Sequence, residues 1–315
     1  MSDLISKLIA GTGLSERDVL KIISNAPRRY KEYTIPKRTG GVRHIAQPAR
    51  ELKALQRVLQ SEYLDILPVH PSAMAYRIGR SIRDNALAHV ENGPIMKFDF
   101  KDFFPSIRVR DWEAYCSDRG LFSDHYERFQ ASQIMFYKPK GSGHLRLAIG
   151  APTSPHLSNL LMFEFDALIT EEVQKNYVTY TRYADDLTFS AKRTGYLTGV
   201  QSAVQKAIRQ VRWPRLILND EKTVLATTKF HRQVTGLILS NDKKVSLGRD
   251  RKRKISAAVH HAKFGKLDQK MAANLAGLLA FAHAVEPEFV SRLEKKYGRE
   301  ILDWLKKVPG IGPSE

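Results

Sequence analysis

A chain of 315 residues with 43% hydrophobic content has ample apolar material for a core, which excludes a disordered protein. Its 51 Lys and Arg against 33 Asp and Glu leave a net charge of +18, and that excess points to a polyanionic partner, most often nucleic acid. The single cysteine, Cys116, excludes an intrachain disulfide and a cysteine-rich zinc site and fits a reducing cytoplasm, and no apolar run is long enough to span a bilayer.

Asp3 and Lys7 interrupt the apolar N-terminus, so it does not read as a secretion signal. Residues 14–24 predict a short amphipathic helix with Ser15 as its N-cap and Asp18 three residues on. The basic segment 26–48 reads as two strands around Gly40-Gly41, a hairpin that gathers Lys37, Arg38 and Arg43. Over 51–67, Leu52, Leu55, Leu59, Tyr63 and Ile66 recur at three- and four-residue steps and predict a helix with one buried face. A loop and helix over 73–92 carry Arg77, Arg80 and Arg83, which could face a nucleic-acid backbone. Asn85 and His89 fall on one face of that helix. A lone histidine there is more often a structural hydrogen-bonder than a ligand.

Residues 94–100 predict a strand that sets Ile95, Lys97 and Asp99 on one face and Met96, Phe98 and Phe100 on the other. An acid at such a strand end is costly unless it is paired or binds metal. Asp102 follows, and Pro105 breaks the strand. Residues 108–138 are mostly helical. The glycine-rich loop 138–154 leads into a helix with Ser154 as cap, Pro155 in the first turn, and a buried stripe through Leu157, Leu160, Leu161, Phe165, Leu168 and Ile169.

The stretch 177–190, YVTYTRYADDLTFS, predicts a hairpin with β-branched and aromatic arms and Asp185 and Asp186 at its turn. Adjacent acids repel, and a divalent cation with oxygen ligands offsets their charge. A solvated turn fits this stretch equally well. A helix over 199–212, a short strand over 216–219 and a strand pair over 230–247 follow. Nine Lys or Arg then lie between Lys243 and Lys266 against one acid, Asp250, so nucleic-acid phosphate is the expected contact for this run. Helices at 269–284 and 287–307 complete the pattern.

Asp99 in DFKDFFPSI (99–107), the loop GAPTSP (150–155) and YADD (183–186) together resemble reverse transcriptases. RNA-dependent RNA polymerases share the palm but usually carry Gly-Asp-Asp at the hairpin. Within the reverse transcriptases the resemblance is to bacterial retron enzymes. It is carried by PARELKALQ (48–56), GRSIRDNALAH (79–89), TRYADDLTFSA (181–191) and RQVTGLILS (232–240), and it runs from about residue 30 to 265. Asn85-Ala86 with His89, and Val234-Thr235-Gly236, look like the marks that separate retron enzymes from group II intron relatives.

The resemblance implies an α+β right-hand polymerase: fingers, a palm whose antiparallel sheet carries the YADD hairpin, and a mostly helical thumb. The expected division is an N-terminal helical segment over 1–29, fingers and palm over 30–240 and a basic thumb over 241–315. It implies that Asp99, Asp185 and Asp186 hold two Mg2+ ions, with Mn2+ as the alternative. Phe104 aligns with an aromatic gate under the sugar of the incoming nucleotide, and Asp102 lends backbone N–H to the triphosphate. Arg43 and Lys37 match fingers positions that grip its β- and γ-phosphates, and Lys222 is the candidate lysine near the leaving pyrophosphate. Ile149 stands where many relatives have Gln, so the amide contact to the nucleotide is missing.

Asn85, His89, Val234, Thr235, Gly236, Arg249, Arg251, Lys252, Arg253 and Lys254 are the expected RNA-binding residues. The implied partners are a cognate structured non-coding RNA, its branched DNA product, dNTPs and an effector protein of an anti-phage defence system, with no membrane. Two alternatives stay open on the sequence: a group II intron-like or other reverse transcriptase, and a non-catalytic RNA-binding scaffold on a palm fold.

Overall fold

Serine caps set the first two helices. Ser2 accepts a hydrogen bond from the Ile5 N–H and opens the helix Asp3–Thr12, and Ser15 accepts from the Asp18 N–H and opens Glu16–Asn25, as expected. The structure, a computed structural model, describes residues 2–37 and 40–308, so Arg38 and the end of the expected thumb lie outside the described residues. Contacts divide the chain into two units: Met1–Arg80 with Met96–Phe189 and Gly195–Val224, and Ser81–Ile95 with Ser190–Thr194 and Leu225–Glu315.

In the first unit, β1 (Tyr30–Pro36) and β2 (Val42–Pro48) form the expected hairpin, antiparallel, with Ile35 opposite Arg43. The helix Arg50–Leu59 buries Leu52, Leu55 and Leu59 completely. The α-helix gives way to a wider turn over Gln60–Leu64, so Ile66 leaves the expected stripe and is 77% exposed.

The central sheet places β5 (Asp186–Ser190) between β4 (Thr179–Tyr183) and β3 (Ile95–Asp99). Phe98 packs edge-on against Phe189, which stacks on Tyr180. Leu157, Leu160 and Leu161 on the helix Thr153–Leu161, and Phe165 and Ile169 on Phe163–Gln174, are buried as the stripe predicts. That first helix begins one residue before the expected cap: Ser154 lies inside it with a buried hydroxyl. Beyond it, β6 (Val224–Ala226) carries the chain onward.

The second unit is built on a shared apolar core. The helix Ile82–Leu87 is opened by a capping box between Ser81 and Asp84. It packs on a small antiparallel sheet of β7 (Gln233–Val234), β8 (Leu237–Leu239) and β9 (Val245–Ser246). Ala86, Val90, Val234 and Leu237 share one cluster with Ile255, Val259, Leu275 and Leu279 of the C-terminal helices. For that reason the unit boundary departs from residue 240: the segments 81–95, 190–194 and 225–240 group with those helices. The expected strand pair over 230–247 is three strands, because Thr235 (φ +46°) and Gly236 (φ +80°) make an extra tight turn. The expected helix 287–307 is two, Pro287–Tyr297 and Arg299–Lys307, broken where Gly298 takes φ +98°. Among the described residues no helix is long and apolar enough to cross a membrane.

Candidate active site

The two-residue turn of the β4–β5 hairpin is Ala184-Asp185, and β5 begins at Asp186. Ala184 sits at φ +57°, a left-handed conformation that costs a residue with a Cβ about 1–2 kcal/mol. Buried bonds hold it there. The fully buried Arg182 guanidinium donates to both carboxylate oxygens of Asp166, at 2.7 to 3.1 Å, to Asn159 Oδ1 at 3.1 Å and to the Ala184 carbonyl at 3.2 Å. The Tyr180 hydroxyl completes the set by donating to Asp166 at 2.7 Å.

The end of β3 is fastened to this turn. The Phe100 N–H donates to the Asp185 carbonyl at 3.2 Å, and the Asn219 N–H donates to the Asp99 carbonyl at 2.8 Å. Asp99, Asp185 and Asp186 therefore act on one another. Burial, then the charges of Asp186 and Asp99, push the Asp185 carboxyl up to about 6. Asp186 is raised chiefly by burial, and Lys97 opposes that shift. The Lys222 ammonium meets Asp99 Oδ1 at 2.8 Å, and that bond raises the lysine's own pKa. Among the described residues no three His, Cys, Asp or Glu side chains are gathered closely enough to hold an ion as they stand. The all-oxygen donors nonetheless suit a hard divalent cation, and the site already draws one cationic group, Lys222, onto Asp99.

Phe103 is 3% exposed and belongs to the core, while Phe104 is half-buried with its ring 5.3 Å from Phe103, the division expected for this pair. Asp102 is exposed and adopts φ +46° before the helical turn Phe103–Ser106. Ile149 is half-buried. Its carbonyl accepts from the Ala46 N–H at 2.9 Å, which ties its loop to β2, the strand of Arg43. Gly150 permits that approach: at φ +125°, a Cβ there would stand 3.0 Å from the Ala46 carbonyl oxygen. Arg43 is exposed, and its charge lowers the pKa of Tyr76, which burial and Asp185 raise. Lys37 is exposed beyond the end of β1, and its N–H donates to the Gly41 carbonyl. The sequence places Lys97 on the Asp99 face without giving it a role, and it assigns none to Tyr76 or to the Arg182–Asp166–Asn159 network. The available signal was Arg182 itself, an arginine inside an otherwise uncharged strand arm.

The expected RNA-binding residues divide by exposure. Asn85, His89 and Val234 are completely buried, so they support the surface rather than form it. His89 Nδ1 bonds Ser190 Oγ at 2.7 Å, and the Asn85 amide has no partner among the described residues. Thr235 and Gly236 are half-buried at their turn, where Thr235 Oγ1 donates to the Ile82 carbonyl. On the helix Arg249–Lys263, Arg249, Arg253 and Lys254 are exposed. Lys252 pairs with Glu286 at 3.1 Å and Arg251 lies over the Phe281 ring, so both are engaged within the unit. Arg77 and Arg83 are likewise engaged, Arg77 by the carbonyls of His70, Pro71 and Ala73 and Arg83 by that of Val285. Arg80 alone of that trio is exposed.

Residues 35–244 match the family described as reverse transcriptase (RNA-dependent DNA polymerase). The chain is 38% identical to the Retron Ec83 reverse transcriptase of Escherichia coli, across 92% of this chain and 93% of that one. It is 32% identical to the Retron Ec86 reverse transcriptase of the same organism, across 94% of this chain and 91% of that one. It is 30% identical to the Retron Ec73 reverse transcriptase, also of Escherichia coli, across 96% and 98%.

Proposed function

Because the chain belongs to the retron reverse transcriptases and is therefore an RNA-directed DNA polymerase, we propose that it copies a cognate structured non-coding RNA into branched, multicopy single-stranded DNA. The observation that carries this reading is the acid-bearing turn locked to the end of the Asp99 strand. Asp99, Asp185 and Asp186 would hold the divalent ions, Mg2+ or Mn2+. When bound, such ions lower the pKa of the attacking hydroxyl and offset charge on the departing pyrophosphate.

The chain's own residues do the rest by position and charge. Phe104 closes the space under the sugar and favours dNTPs. Arg43 and Lys37 draw in the β- and γ-phosphates, and the Asp102 backbone N–H adds a donor. Ile149 packs against the nucleotide without a hydrogen bond. Lys222 holds its proton against Asp99, and that proton would be available to the leaving pyrophosphate.

In this reading the first unit supplies fingers and palm and the C-terminal helices supply the thumb. Thr235 and Gly236 at their turn, with Arg249, Arg253 and Lys254, offer the RNA-facing groups of the second unit. Synthesis begins from a 2′-hydroxyl of the RNA, and the product serves an anti-phage system with an effector protein. These last points rest on the resemblance to retron enzymes.

The test is DNA synthesis by the purified protein on RNA transcribed from the DNA flanking its gene. The expected product is DNA joined to RNA by a linkage that a 2′-debranching enzyme releases. Asp185→Asn with Asp186→Asn should abolish it. DNA synthesis that survives both substitutions removes the assigned site, and a product without the branch removes the retron reading.

A further inference from the structure

We propose that Tyr76 is a second nucleotide-selecting residue, whose ring extends the Phe104 gate into a two-ring wall along the sugar of the incoming dNTP. The proposal rests on the reading of Phe104 given above. Its own support is geometric. Phe100, next to Asp99, stacks on Phe103 at 6.0 Å; Phe103 meets Phe104 edge-on at 5.3 Å; and Phe104 meets Tyr76 at 6.3 Å. The series starts in the core, with Phe100 1% exposed, and ends at Tyr76, 45% exposed. An aromatic pair at the outer end of such a ladder presents one continuous apolar surface beside the acids.

The backbone argues the same way. Tyr76 adopts φ +59°, which a bulky side chain avoids. A strained residue persists only where its neighbours fix it, and here they do. The Met74 N–H donates to the Arg182 carbonyl and the Arg182 N–H to the Ser72 carbonyl, both at 2.8 Å. Asn159 Nδ2 donates to the Ala75 carbonyl at 2.8 Å, and the Arg77 guanidinium holds the carbonyls of the approaching loop. Arg182 and Asn159 are also joined in the network under Ala184. One buried support therefore sets both the acid turn and the Tyr76 ring. The pKa of the Tyr76 phenol responds to both Asp185 and Arg43, so the side chain lies within electrostatic reach of the acids and of the hairpin arginine.

Tyr76→Gly is the variant of choice, because glycine takes a left-handed φ without strain and deletes the ring without endangering the fold. Single-nucleotide incorporation on an RNA template–primer is measured with dATP and with ATP for the wild type, Tyr76→Gly, Tyr76→Phe and Phe104→Ala. The expected result is a fall in dNTP-over-rNTP discrimination of about tenfold for Tyr76→Gly, a size typical of losing one apolar contact. Tyr76→Phe should stay within about twofold of the wild type, because the ring does the work. An unchanged discrimination ratio in Tyr76→Gly, whatever its absolute rate, overturns the proposal. If Phe104→Ala then shifts the ratio, the gate stands with one ring; if Phe104→Ala also leaves it unchanged, the reading of Phe104 fails as well.

Discussion

At the scale of single residues, Asp185 carries the clearest consequence. Its carboxyl has an ordinary value of 3.8 and about 6 in the folded chain, so the folded state holds that proton more tightly than the unfolded state. The resulting stability is full below the ordinary value and is lost as pH rises through about 6, an effect on the order of 3 kcal/mol. The metal-free protein should therefore melt at a lower temperature above pH 6 than near pH 4, as far as this group contributes. Asp185→Asn should flatten that slope and raise the melting temperature above pH 6 while removing polymerase activity. Adding Mg2+ should stabilise the wild type above pH 6 and leave the variant unmoved. Thermal melts across pH, with and without Mg2+, check all three, and superimposable wild-type and variant curves would count against the charge cluster. Lys222→Ala frees Asp99 from its ammonium. If Lys222 is the proton donor, single-turnover incorporation should fall by about 10²-fold with little change in dNTP affinity.

At the scale of elements, the buried Arg182–Asp166 pair is the main support of the acid-bearing hairpin. Arg182→Met leaves Asp166 charged and unpaired in the core and should cost about 3–5 kcal/mol. Adding Asp166→Leu should recover much of that stability without restoring activity, because the Ala184 carbonyl still lacks its donor; denaturant melts beside polymerase assays distinguish the two effects. The hairpin itself was legible in the sequence, since alternating Thr, Tyr and Phe around adjacent acids have few other foldings. The helices capped by Ser15 and striped by Leu52, Leu55 and Leu59 were legible for the same local reasons. What was not legible depended on contacts far apart in sequence. Nothing near Tyr76 announces its left-handed backbone, which is fixed by Arg182 and Asn159. The motifs mark Val234 and His89 as RNA contacts, yet Val234 is buried in the cluster it shares with the C-terminal helices and His89 is buried with its ring bonded to Ser190. The break at Gly298 was missed because apolar periodicity continues across it.

At the scale of the whole molecule, the charge excess of +18 becomes a statement about salt. Neutralising Arg249, Arg253 and Lys254 together should weaken RNA binding and reduce the dependence of log K on log salt by about 2, at roughly 0.7–0.9 per phosphate contact. Lys252→Ala should instead lower thermal stability, since it removes a partner from Glu286, and leave the salt slope nearly unchanged. Binding titrations over a range of salt concentrations check both, and a slope unaltered by the triple substitution would take that helix off the RNA surface. The composition of the second unit has a further consequence, for biosynthesis. Its helix Ile82–Leu87 leaves the ribosome long before the strands and helices that cover Ala86 and Val90. Those apolar residues must wait through the synthesis of Met96–Phe189 and Gly195–Val224 of the first unit. Folding of that unit is thus postponed toward chain completion, and a stalled or truncated nascent chain would display an open apolar face, the kind of surface that chaperones hold and proteases clear.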